Sequence, residues 1–359
     1  MITLTLTYRN RDLHIVKRCL DSLKHQTDAD FNVCLVDYGS TEAYSVAIQG
    51  LLKSYTFVTY YYVNTNGQLW NKSRAINIAL KSCKTSYFLV GDIDLIYHPE
   101  MIKTCKALIL KHEVVYFQYG FLNKEESQKD HGDFFGYQIE FLGNKEVTGT
   151  TLYKTKHILA VNGYDEFYHG WGAEDTDIHL RLKNNGVTPY FYDKDILVKH
   201  QWHPKTYRSN ASSYPFHSGL ERINHKYMMQ RHALGVVKAN QDRFWGVMPY
   251  ETPENALHEA VLRLEVSNLC SDVDALVTGV IPDLKVPLEV QISKNKKEGI
   301  KAMVKRILGK TVHKTYALED VNNRLLESII ISQRLARYHY EFDREKEVIQ
   351  LTIKPYGGS

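Results

Sequence analysis

Apolar positions in the first third of the chain switch between two periods. Short runs rich in Val, Ile, Leu, Tyr and Phe near residues 2–7, 31–37, 57–63 and 86–91 have the length of buried strands. Between them, apolar residues recur at three- and four-residue spacing near 12–25, 42–53, 70–82 and 99–111, which predicts helices. Strands alternating with helices build a mostly parallel sheet flanked by helices, so the expected class is α/β. Farther along, Asn123 to Phe135 is polar, charged and glycine-containing, and reads as a surface excursion. Ser218 to Leu234 regains helical spacing with many basic residues and histidines.

The chemistry collects where apolar runs stop. Tyr87 to Val90 leads through Gly91 into Asp92-Ile93-Asp94, so a buried strand releases two carboxylates at a sheet edge. Side chains two apart in extended backbone diverge from their neighbour between, leaving one acid to bind a divalent cation and the other to hold a second group nearby. Asp94 is the expected metal ligand, although acids after strands also mark ordinary turns. A second group lies in Gly170-Trp171-Gly172-Ala173-Glu174-Asp175-Thr176-Asp177, a glycine loop entering a helix. Acids in a first helical turn are favoured by the helix dipole alone. A tryptophan between two glycines is not explained that way, and suits a sugar platform or a lid. A third strand-like run, Asp195 to Lys199, ends in His200-Gln201-Trp202-His203. His200 with Asp94 would make a mixed N/O site suited to Mn²⁺, with His203 as the competing ligand, whereas a lone histidine is more often structural.

Four segments in order carry a family resemblance: Tyr8-Arg9-Asn10-Arg11, Asp92 to Ile96, Asn162-Gly163-Tyr164 leading to Gly170 through Asp175, and Leu197-Val198-Lys199-His200. Together they resemble an inverting GT-A glycosyltransferase, family 2-like at its start and β-1,4-galactosyltransferase-like in its second half, as in bacterial chondroitin-type polymerases. The resemblance covers roughly residues 1 to 205 and implies a GT-A fold. It places Thr7, Arg9, Arg11, Arg74 and Ile93 on the donor side, Asp37 at the uracil ring, and Asp92 at the donor sugar or ribose. Asp94 and His200 would ligate Mn²⁺ or Mg²⁺, Trp171 and Gly172 would line the acceptor, Glu174 would help hold it, and Asp175 would be the catalytic base. Tyr38 stands where the family has a second aspartate, and Leu197 where such galactosyltransferases have a third metal ligand.

The implied activity is transfer of a hexose or N-acetylhexosamine, with galactose or N-acetylgalactosamine favoured, from a UDP-α-sugar to a hydroxyl of a saccharide or lipid-linked saccharide. The new bond would be β, in the setting of polysaccharide biosynthesis. A non-catalytic carbohydrate-binding or scaffold subunit is the second reading. A nucleotidyltransferase needs a glycine-rich first loop, and Thr7 to Arg11 contains no glycine.

Composition adds bounds. With 45 basic against 41 acidic residues the net charge is +4, too mild to argue for nucleic acid. No window approaches about 18 uninterrupted apolar residues, and Met1 to Thr7 alternates like a strand rather than a signal peptide. Five cysteines without Cys-x-x-Cys spacing are expected to be reduced, which fits a cytoplasmic protein at or near the inner face of the cell membrane. The expected division is a transferase domain over 1–215, with a nucleotide-sugar half at 1–115 and an acceptor and catalytic half at 116–215, then a mainly helical extension over 216–359. Within the extension, 294–310 sets Ile300, Met303, Val304, Ile307 and Leu308 opposite a basic stripe. That pattern fits a packed surface helix or peripheral contact with an anionic membrane.

Overall fold

The computed structural model describes residues 1–205, 208–210, 212, 214–248, 262–295 and 313–357. The chain forms two compact units, one of Met1–Asn64, Trp70–Lys205 and Glu221–Met248, the other of Thr65–Leu69, Thr206–Leu220 and Pro249–Ser359.

In the first unit, β1 (Ile2–Tyr8), α1 (Leu13–Lys24), β2 (Phe31–Tyr38), α2 (Glu42–Leu52), β3 (Val58–Val63), α3 (Lys72–Ser82) and β4 (Tyr87–Asp92) follow the predicted alternation. After them come β5 (Leu95–Tyr97), α4 (Met101–Ile109), β6 (Val114–Phe117), β7 (Tyr119–Phe121), β8 (Phe141–Leu142), β9 (Thr151–Lys154), α5 (Thr155–Ala160), α6 (Glu174–Asn184), β10 (Tyr190–Tyr192) and β11 (Val198–His200). The main sheet has the order β10-β6-β9-β4-β1-β2-β3. Only β9 runs antiparallel to its neighbours β4 and β6. The sheet separates two cores, Leu4 and Leu6 of β1 packing with Val16 and Leu20, while Val36 and Val90 of the neighbouring strands pack with Ile76 and Leu80.

Register decides where the functional side chains emerge. In the parallel trio, Thr7 lies opposite both Val36 and Asp92, and Tyr8 opposite Asp37. The first loop, the Asp37 loop and the acidic turn therefore leave the sheet at one edge, the carboxyl ends of the strands, where open α/β sheets take ligands. A second sheet, β5-β11-β7-β8, folds over that edge. There His200 pairs with Leu95 on one side and Phe121 on the other. The Gln201 N–H donates to the Asp94 carbonyl at 2.9 Å, so β11 is fastened to the acidic turn.

α7 (Leu220–Ala233) lies largely in the first unit. The unit therefore does not stop at residue 215: Asn224 donates to the carbonyls of His169 (2.9 Å) and Trp171 (3.3 Å), anchoring the glycine-tryptophan loop from outside the first 215 residues.

In the second unit, β12 (Leu262–Ser267), β13 (Leu288–Ser293), β14 (Arg337–Asp343) and β15 (Val348–Lys354) make a sheet of order β12-β13-β15-β14. The extension expected to be mainly helical thus carries a four-stranded sheet beside the helix Leu318–Ser332. The cause is period-two patterning: Leu288, Val290 and Ile292 are buried while Glu289 and Gln291 are exposed. Residues 296–310 of the proposed basic helix lie outside the described residues. No described helix is long and apolar enough to cross a membrane. All five cysteines are free, with Cys19, Cys34 and Cys105 buried.

Candidate active site

Two buried carboxylate centres emerge from the acidic turn. The strand ends at Asp92, and Ile93 buries its side chain in the apolar core. Ile93 therefore acts as a spacer that sends Asp92 and Asp94 to different partners.

Asp94 meets the histidines. Its carboxylate lies 3.6 Å from His200 Nε2 and 3.2 Å from His203 Nε2, and Arg11 Nη2 approaches at 3.3 Å. One ligand atom from each of Asp94, His200 and His203 falls within 4.8 Å of the others. Asp94 Oδ1 is buried without a hydrogen-bond partner. Burial alone would raise the Asp94 carboxyl, yet the imidazoles of His200 and His203 and the Arg11 guanidinium hold it below the usual range. Burial pushes the His200 imidazole down, with Asp94 opposing, which leaves a ring nitrogen lone pair available. An ionised carboxylate with an unpaired oxygen beside two imidazoles fits a divalent cation of borderline character. His203 stands beside His200 around the same carboxylate. Leu197, three residues earlier, is buried in the core and contributes no ligand atom.

Asp92 turns toward α3 and α6. Its Oδ1 lies 3.0 Å from Lys72 Nζ, and its Oδ2 accepts the Tyr119 hydroxyl at 3.0 Å. The same ammonium sits 3.0 Å from Asp175 Oδ2 and 3.9 Å from Glu174 Oε1. Lys72 thus joins both acidic motifs, and three carboxylates hold its pKa well above normal against the cost of burial. The Asp175 carboxyl is pushed up to about 7, first by burial, then by Glu174 and Asp92, with Lys72 opposing. The other oxygen, Oδ1, is buried without a hydrogen-bond partner. Gly149 closes the space between them. A methyl group there would lie 2.8 Å from the Tyr119 hydroxyl, 3.0 Å from Asp92 Oδ2 and 3.6 Å from Asp175 Oδ2.

The loop that delivers Glu174 and Asp175 is wound in the left-handed region. Gly170, Gly172 and Ala173 have φ of 71°, 97° and 76°. The glycines adopt this freely, whereas Ala173, just ahead of α6, is strained there. Gly170 N–H donates to the Trp70 carbonyl at 2.7 Å, and Trp171 stands 45% exposed.

At the edge expected to take the nucleotide, Arg9 lies 5.8 Å from the ring centres of both Tyr38 and Trp70, and its Nε donates to the Gly39 carbonyl at 3.3 Å. Tyr38, in place of the family's second aspartate, packs edge-on against Trp70 at 5.7 Å. Asp37 is buried, accepting from the Ser40 N–H and the Tyr60 hydroxyl at 2.8 Å each. Thr7 is buried at the end of β1. Arg74, expected on the donor side, is buried and donates to the Val247 carbonyl at 3.3 Å. Lys72, two residues earlier, is the cation of α3 that reaches the acids. Its burial could not be read from Asn71-Lys72-Ser73-Arg74, because both cations occupy the same first turn.

A mostly parallel sheet that gathers a carboxylate-imidazole triad and a second group of carboxylates at the carboxyl ends of its strands is a setting suited to group transfer. Residues 4–163 match Glycosyl transferase family 2, and residues 133–204 match the N-terminal domain of galactosyltransferase. Residues 4–204 are thus similar to a family 2 glycosyltransferase segment that runs into a galactosyltransferase-type segment. Chondroitin sulfate synthase 3 of Mus musculus is 25% identical over 142 residues, 37% of this chain and 16% of the relative. Beta-1,4-galactosyltransferase 1 of Bos taurus is 24% identical over 133 residues, 36% of this chain and 29% of the relative. The chain thus spans less than a third of the length of these curated relatives. A crystal structure of S. aureus TarS 1-349 superposes with a TM-score of 0.48 at 15% identity, covering 100% of this chain and 97% of the other.

Proposed function

We propose that the first unit transfers a hexose or N-acetylhexosamine, galactose or N-acetylgalactosamine by preference, from a UDP-α-sugar to a saccharide or lipid-linked saccharide hydroxyl with inversion. The observation that carries this reading is a half-buried Asp175, its Oδ1 enclosed without a hydrogen-bond partner, whose carboxyl is pushed up to about 7 beside Asp92. A base works best with a pKa near the operating pH, and such catalysis is worth roughly 10²–10⁴-fold. Asp175 takes the proton of the acceptor hydroxyl as its oxygen bonds to the anomeric carbon and the bond to UDP breaks. One displacement turns an α-linked donor into a β-linked product. Glu174 helps hold the acceptor hydroxyl, and Trp171 and Gly172 border the acceptor. Arg9, with Asp37 behind it, serves the nucleotide side, and Asp92 faces the donor sugar.

Asp94, His200 and His203 would hold Mn²⁺, or Mg²⁺, which supplies charge neutralisation for the departing diphosphate. The mixed nitrogen and oxygen donors favour Mn²⁺. We place the protein in the cytoplasm, at the inner face of the membrane if 294–310 docks there. Liposome co-sedimentation unchanged by deleting 294–310 removes that docking.

The test is UDP release from a panel of UDP-sugars with and without Mn²⁺, on the wild type and Asp94→Ala. Metal-dependent turnover of one donor, lost in the variant, is expected. Equal turnover by both proteins, or an α-linked product by NMR, would overturn the reading.

A further inference from the structure

A row of aromatic rings leads away from the reacting carboxylates along β7 and β8. Tyr119 and Phe121 lie on one face of β7, with ring centres 5.8 Å apart. The opposite face is filled, since a methyl group on Gly120 would meet Ile139 at 2.6 Å and Ile196 at 3.2 Å. Phe141, paired with Phe121 across the β7-β8 ladder, stacks on it at 4.7 Å with only 10° between the planes. The inner end of the row touches the site twice. The Tyr119 hydroxyl donates to Asp92, and the Phe121 ring lies 5.2 Å from that of His200. The outer end is in solvent, with Phe141 54% exposed.

Burial does not account for Phe141. The nearby apolar cluster of Ile96, Leu122, Phe134 and Tyr137 is complete without it. Position in the fold selects what covers it. Arg9, just past β1, and Asp37, on β2, occupy one side of Asp92, and β7 and β8 lie in the second sheet beyond His200. The row therefore extends from the reaction centre away from the nucleotide edge. A pyranose presents a continuous patch of C–H groups on one face, which stacks on a flat ring while its hydroxyls stay hydrated.

We propose that Phe141, backed by Phe121, is a stacking platform for a neutral sugar unit of the acceptor, outside the unit that carries the reacting hydroxyl. This rests on the transferase reading above. The probe is methyl β-D-galactopyranoside, observed by saturation-transfer NMR with irradiation of the protein's aromatic protons. On the wild type and Phe141→Trp, saturation of the H3, H4 and H5 protons is expected. In Phe141→Ala the transfer falls roughly three- to tenfold, the range set by one aromatic contact. Absence of transfer in the wild type, or a fall of less than about threefold in Phe141→Ala, overturns the platform. Calorimetry of UDP with Mn²⁺ on the wild type separates the two claims. UDP binding without saturation removes the platform alone, and saturation without UDP binding removes the transferase reading alone.

Discussion

Asp94 and Asp175 are the same residue type in one unit, one buried and the other half-buried, yet their carboxyls are driven in opposite directions. Asp94 faces Arg11, His200 and His203 and is held low. Asp175 shares its surroundings with Glu174 and Asp92, and a single ammonium, Lys72, is too little to offset burial and two like charges. Burial sets the stakes in each case, and the sign of the neighbours decides the outcome. Asp94 is thereby held in the ionised state that a metal ligand would need, and Asp175 is poised near neutrality, as a base would need.

The contrast can be broken at several points. Asp175→Asn keeps the shape and removes the proton acceptor, so turnover should fall roughly 10²–10⁴-fold with UDP affinity little changed. A loss below about tenfold would assign the base elsewhere. His203→Ala should weaken Mn²⁺ by at least the roughly tenfold that an outer-shell partner is worth, as read by titrating activity with metal. An unchanged metal titration would leave Asp94 and His200 as the whole set. Activity should rise as pH climbs through about 7, where Asp175 loses its proton. Lys72 opposes the raised carboxyl, so Lys72→Met should carry that rise to higher pH, and a pH profile superposable on the wild type would mean that Lys72 does not set the base. The smallest effect concerns the loop. Ala173→Gly relieves a left-handed alanine and should stabilise the fold by about 1 kcal/mol, a gain of roughly 2–4 °C in Tm. A lower Tm would show that the methyl group packs usefully.

Much of this site was legible because its acids interrupt otherwise regular patterns. β1 to β4 and α1 to α4 lie where the alternation of periods puts them, since nothing but sheet and helix packing constrains those segments. Asp92, Asp94, His200 and Asp175 stood out as polar residues ending apolar runs or opening a helix. Gly149 and Lys72 did not, because their roles depend on distances between segments far apart in sequence. Gly149 matters only because Tyr119, Asp92 and Asp175 converge on it. The family resemblance puts Arg74 on the donor side, but helix rotation turns that side chain inward and leaves Lys72 beside the acids. His203 could be named as a ligand but not ranked against His200, because the turn at Gln201 and Trp202 decides that both rings point the same way. The sheet of the second unit was hidden by length: β12 to β15 are spread over about ninety residues that also contain prolines and helical stretches.

Arg11 and Lys72 give each half of the pocket a resident counterion, one on Asp94 and the other spanning Asp92 and Asp175. The acids therefore do not rely on a metal ion to keep them from repelling one another. A cation held by Asp94, His200 and His203 would therefore meet an acid that already has a positive partner in Arg11, and binding would exchange part of one charge contact for another. A protein of this kind should melt at nearly the same temperature in chelator as in Mn²⁺-containing buffer, so that its fold would outlast a loss of metal.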